Sequence, residues 1–226
     1  MGPERPGPQA ATIEREIRMK TVLTLMLVLA VAGIAQAQTG VYFSEYLEGS
    51  SNNKAVEIYN GTDAPLDLTR IVVERYNNGS AVPTATYSAF SGLVAAGDVY
   101  VIGNPSATGV DPVILAESDF LSDLTFYNGD DVLIMYLDGV ICDSIGQVGF
   151  DPGTNWTSGG CATSEMTLVR KVNSCFGDTD PTDVYDPSVD WDCYPQNTVS
   201  YLGSHTTECV VDNVPASWGN VKGLYR

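Results

Sequence analysis

Three glutamates, Glu45, Glu48 and Glu57, crowd the stretch SEYLEGSSNNKAVEIYNGT at residues 44–62. Two carboxylates held at a fixed separation in a cleft can divide acid and base roles in hydrolysis. Joined by Asp130, from Asn128-Gly129-Asp130-Asp131, Glu45 and Glu57 would make a carboxylate–metal hydrolase site. That chemistry requires the acids to converge in an open concave pocket. The composition of Glu48-Gly49-Ser50-Ser51-Asn52-Asn53 points elsewhere, since Gly, Ser and Asn form turns. The stretch then reads as the polar connection of a β-hairpin. The acids of the Asn128–Asp131 turn would likewise ligate a cation or accept backbone N–H groups.

A second acidic run, Gly177-Asp178-Thr179-Asp180-Pro181-Thr182-Asp183-Val184-Tyr185-Asp186, places Asp at alternating positions. Asp178, Asp180 and Asp183 resemble the front of a calcium loop. The loop glycine is absent, Pro181 interrupts, and no Glu closes the far end. The two readings are a Ca²⁺ site and an exposed acidic turn. No other cofactor is expected. The single histidine, His205, follows Ser204. Sequence neighbours seldom face each other as a nucleophile–base pair, so His205 reads as structural.

Positioning these groups falls to β-strands. Val41–Tyr46, Ala55–Tyr59, Ile71–Tyr76, Val99–Ile102, Val132–Tyr136, Val140–Ile145 and Met166–Arg170 are rich in Val, Ile and Tyr. Gly, Asn, Asp or Pro closes most of these runs. Strict alternation puts Val41, Phe43 and Glu45 on one face, with Tyr42, Ser44 and Tyr46 on the other. Asp138-Gly139 between two runs is a strong two-residue hairpin signal. Helical patterning is confined to Ile114–Leu121 and the C-terminal end. Seven to nine short strands argue for an all-β chain: an antiparallel β-sandwich of immunoglobulin-like size.

The 226 residues carry 11 basic and 28 acidic side chains, net −17. From Met19, a lysine, an apolar run at Val22–Ile34 and Ala35-Gln36-Ala37 read as a signal peptide cleaved before Gln38. The apolar run falls short of the ~20 residues of a membrane span, and no other segment of the chain is long and apolar enough to cross a membrane. Residues 1–18 read as a leader or a miscalled start, 19–37 as the signal, 38–206 as the sandwich, and 207–226 as a linker and tail. In the tail, Trp218, Val221, Leu224 and Tyr225 could share a helical face with Lys222 and Arg226 at its end. It reads as a docking signal or as a terminal element packing on the sandwich. Removing residues 1–37 leaves 7 basic and 25 acidic residues. Such a surface repels phosphates and argues against autonomous nucleic-acid binding.

All five cysteines follow residue 141, and none forms a CxxC pair. In an oxidising compartment one or two disulfides are expected among Cys142, Cys161, Cys175 and Cys193. Cys175–Cys193, stapling the acidic loop, and Cys161–Cys175 are both open, with Cys209 as the odd one out.

Together the segments resemble the lamin tail domain in its bacterial extracellular form. The resemblance rests on Ser44–Asn60, Leu93–Ile102, Asn128–Asp131, Ile145–Gly149, Thr167–Lys171, Gly177–Asp180, Asp190-Trp191 and Leu202–Thr206, in order. It implies an immunoglobulin-like sandwich that acts as a non-catalytic accessory module. The partner so implied is an extracellular protein or glycan, or a secreted hydrolase. A stand-alone hydrolase and a Ca²⁺-stabilised adhesion module are the alternatives.

Overall fold

The computed structural model describes residues 40–209. The leader, the signal segment and residues 210–226 of the tail lie outside that range. The first strands are β1 (Val41–Glu48), β2 (Lys54–Asn60), β3 (Leu66–Asp67), β4 (Ile71–Tyr76) and β5 (Ala85–Tyr87). Next come β6 (Leu93–Val94), β7 (Val99–Gly103), the helix α1 (Pro112–Glu117), β8 (Phe120–Leu121), β9 (Val132–Leu137) and β10 (Val140–Ile145). The last are β11 (Thr157–Ser158), β12 (Cys161–Ala162), β13 (Met166–Arg170), the helix α2 (Pro187–Asp190) and β14 (Trp191–Pro195).

One sheet has six strands in the order β14-β13-β1-β2-β7-β8, and the other has four, β10-β9-β4-β5. The chain is therefore the β-sandwich its alternating runs anticipate, antiparallel throughout the two sheets except where β7 meets β8. Between the sheets, Phe43, Tyr46 and Ile58 pack with Ile71, Leu133 and Met135. Each large apolar side chain so buried contributes about 1.5–3 kcal/mol. The Asp138-Gly139 turn joins β9 to β10 with φ of 52° and 78°. Both central residues being left-handed is what a type I′ hairpin requires. In α1, Pro112 opens the helix and the Asp111 carboxylate caps the amide of Val113.

Two sequence expectations are corrected here. The first concerns the β1–β2 hairpin, which lies in the middle of the six-stranded sheet. A bulge between Phe43 and Glu45 breaks the alternation. One extra residue turns every later side chain over. Val41, Phe43 and Tyr46 therefore face the core, while Glu45 faces the outer side and pairs across the strands with Glu57.

The second concerns the cysteines. The disulfides are Cys161–Cys193 and Cys175–Cys209, with Cα separations of 5.3 and 5.4 Å. Cys193 lies on β14, which β13 draws into the six-stranded sheet, and Cys161 lies on β12 against it. Cys209 reaches Cys175 because Glu208 N–H and Thr207 Oγ1 both donate to the Val172 carbonyl. Cys142 belongs to neither disulfide. It sits on β10 in the opposite sheet, inside the core, with its Sγ toward the Met135 carbonyl.

Candidate functional site

The outer face of the six-stranded sheet is roofed by α1 and by residues 196–209. Leu202 packs there with Leu47, Ala55, Val101 and Ile114. Under this roof lie Glu45 and Glu57, each only 1% exposed. Ser44 Oγ donates to Glu57 Oε1 at 2.6 Å, and the Gly203 amide donates to Glu57 Oε2 at 2.7 Å. Both oxygens of Glu45 lack any donor. Burial raises the Glu45 pKa to about 9, with the Glu57 charge adding to it. Burial also raises Glu57, but its two hydrogen bonds hold it to about 7. Glu45 therefore keeps its proton at neutral pH, and Glu57 is the member of the pair that ionises first.

His205, from the same covering segment, sits edge-on to Tyr59 and Tyr42, with ring centroids 4.9 and 5.8 Å away. Burial, helped by the Arg170 charge, lowers its pKa to about 4. It is a neutral packing group at physiological pH, and no hydroxyl nucleophile bonds to it among the described residues.

Of the three acids expected to build a hydrolytic site, the structure brings two together. Glu45 and Glu57 meet in a closed layer, whereas Asp130 sits in the turn entering β9 of the other sheet. Its neighbour Asp131 caps that turn, accepting from Asn128 N and Asn78 N. The third glutamate of the opening stretch, Glu48, pairs with Lys54 at 2.8 Å and accepts from Glu165 N.

Asp178, Asp180 and Asp183 do not form a ligand set. Asp178 Oδ1 accepts from Asp180 N, and Asp180 Oδ1 accepts from Thr182 N and Oγ1. Each of these carboxylates is bonded to a turn amide two residues on. Among the described residues no three of His, Cys, Asp and Glu are grouped to hold a metal ion. Burial, with the charges of Asp183 and Asp143, raises Asp178 to about 6.

The same loop lines a surface groove of about 510 Å³ whose walls include Phe176, Asp178, Asp183, Val184 and Val189. Val184 is 84% exposed and Val189 63%. Open apolar side chains set among carboxylates are the composition of a contact surface.

Sequence reasoning missed the buried ion pair of Arg170 and Asp143, 2% and 0% exposed. β13 pairs with β1 only from Glu45 onward. Phe43 is thereby left without a strand partner on that side. Asp143 Oδ2 accepts its N–H at 2.7 Å, and Arg170 Nε donates to its carbonyl at 2.9 Å. The guanidinium also lies 4.5 Å from the Trp191 ring. The pair thus closes the bulge and joins β13 to β10 of the opposite sheet. A signal was present: Arg170 stands two residues after Leu168, in the core phase of its strand.

Residues 34–149 match the family model described as Lamin Tail Domain, just over half of the chain. No curated protein and no solved structure matches. The matched region ends after β10, while β13 and β14 complete the same six-stranded sheet beyond it.

Proposed function

The chain belongs to the lamin tail domain family, which is composed of non-catalytic immunoglobulin-like domains, and from that premise we propose that it is a secreted binding or accessory module. It makes protein or glycan contacts at the cell surface, with a secreted hydrolase as one such neighbour.

One observation carries this reading. The carboxylates best suited to chemistry are closed under residues 196–209, whereas the open groove by residues 174–190 offers apolar and acidic side chains together. Substrate cannot reach the first, and a partner can reach the second. Two disulfides support an oxidising compartment. Among the described residues no helix is long and apolar enough to cross a membrane.

The test pairs a binding assay with a turnover assay. The purified chain is applied to envelope proteins and to a glycan array, and in parallel to phosphoester, peptide and glycoside substrates. Saturable binding without turnover is the expected result. Turnover that disappears in Glu57→Gln would overturn it.

A further inference from the structure

The unpartnered carboxyl of Glu45 has a consequence for the segment that covers it. We propose that residues 196–209 form a strap kept closed by a proton on Glu45, and that losing this proton in mildly alkaline medium lifts the strap while its ends stay attached.

Glu45 and Glu57 are register partners on adjacent strands, whose side chains stand about 5 Å apart at Cβ. Both hydrogen-bond donors in the site aim at Glu57 and none at Glu45. The site therefore solvates one charge and not two. A second charge can be relieved only by admitting water. From the sheet side that is blocked, because β1 and β2 are central strands with the core beneath them. The roof is the remaining route.

The strap is built to yield there. Its middle is held by packing of Val199, Leu202, His205 and the Tyr201 ring, and by the single Gly203 hydrogen bond to Glu57. Its ends are held more firmly. Asn197 Oδ1 accepts from Ser50 N and Asn53 Nδ2, and Asn197 Nδ2 donates to Ser50 Oγ. Cys209 is fixed covalently to Cys175.

The charged surroundings act in the same direction. Asp98 and Asp119, from the segments flanking β7, oppose further negative charge at Glu57. Glu117 of α1 lies against Gly203. Tyr127, from beneath the sheet, is kept neutral by burial, so it places no charge opposite Glu45. Tyr42 and Tyr59 flank His205, and burial raises the pKa of both. Arg170, the cation that acts on His205 and Tyr42, is paired to Asp143.

The sign follows from linkage. In the closed strap Glu45 titrates near 9; exposed, it returns toward its ordinary 4.5. Between these limits Glu45 releases one proton on opening, a tenfold rise in the opening constant per pH unit, and Glu57, raised to about 7, adds to the slope at and below about pH 7. His205 is neutral above pH 7 whether buried or free, and Glu57, raised to about 7, has largely ionised by pH 7.5, so the interval from pH 7.5 to 8.5 reads Glu45.

Amide hydrogen exchange of the full chain, corrected for intrinsic rates, reads the opening directly. The protection of residues 199–205 is expected to fall about tenfold from pH 7.5 to 8.5 and to level off past 9, while β1 and β2 stay protected. Glu45→Gln, which keeps the neutral form at every pH, is expected to flatten that slope. Should this variant fail to fold, the carboxyl carbon resonance of Glu45 in the native chain gives the second reading. Its midpoint should lie near pH 9 and coincide with the end of the slope. Protection that ignores pH, an unchanged slope in Glu45→Gln, or loss of β1 and β2 in step with the strap would each overturn the proposal.

Discussion

In the β1–β2 hairpin, Glu45 and Glu57 are each 1% exposed and their pKa values are raised to about 9 and 7. In the loop at 177–186, Asp180 faces water, and hydrogen bonds from Thr182 hold its pKa below the usual range. Both regions are acidic, but the glutamates lie on β1 and β2 and the aspartates in a connecting loop. They differ in what the backbone does with its own polar groups. In the hairpin the strand ladder consumes the amides, so a carboxylate finds donors only from side chains or from the covering strap. In the loop no ladder consumes the amides, and Asp178, Asp180 and Asp186 each collect one two residues ahead. Acidic side chains in a regular strand thus become costly to ionise, while those in a turn become structural caps. Acidic content alone therefore says little about chemistry.

The largest expected effect lies at the pair that closes the bulge beside the hairpin. Arg170→Ala strands Asp143, buried and charged, with only amides for partners. Losing one member of a buried pair costs about 3–5 kcal/mol. Urea unfolding should show a loss of that order. A loss below about 1 kcal/mol would mean that the bulge needs no such closure. Next comes Tyr127→Phe. The Tyr127 hydroxyl lies 2.7 Å from the Ala55 carbonyl and 3.0 Å from that of Leu47, tying the two hairpin strands together. Its removal should cost about 0.5–1.5 kcal/mol without altering the pH dependence.

The smallest effect is expected in the acidic loop. Asp180→Asn keeps an acceptor oxygen for Thr182 and should change stability by less than about 0.5 kcal/mol. Melting in Ca²⁺ and in EDTA should give the same midpoint for the native chain. A rise of several degrees with Ca²⁺ would show that the loop gathers its acids around a cation after all, and would remove the contrast with the hairpin.

Much of this was legible from the chain. The alternating runs, the Asp138-Gly139 turn and the Asn-rich connection at residues 49–53 mark elements whose signals are local. The helical patterning at residues 114–121 was legible only in part: the helix spans Pro112–Glu117, and Phe120–Leu121 form a short strand. The bulge at Ser44 was not legible. Nothing in Phe43-Ser44-Glu45 departs from a regular strand, and the compensating pair comes from residues 143 and 170. The disulfides failed for a related reason. Connectivity depends on which strands become neighbours, and it was the late pairing of β14 with β13 that brought Cys193 to Cys161. Burial of Glu45 followed from the same bulge, so the most telling group of the site was assigned to the wrong face.

The account turns on Glu45 being a buried neutral acid and not a catalytic carboxylate. A carbon-13 carboxyl titration of the native chain measures this directly, with Asp180 as the internal reference. Glu45 should remain protonated through pH 7 and titrate near 9, while Asp180 titrates below its ordinary 3.8. A Glu45 midpoint near 4.5 would show a solvated, ionised carboxylate, and the buried-acid account would be wrong.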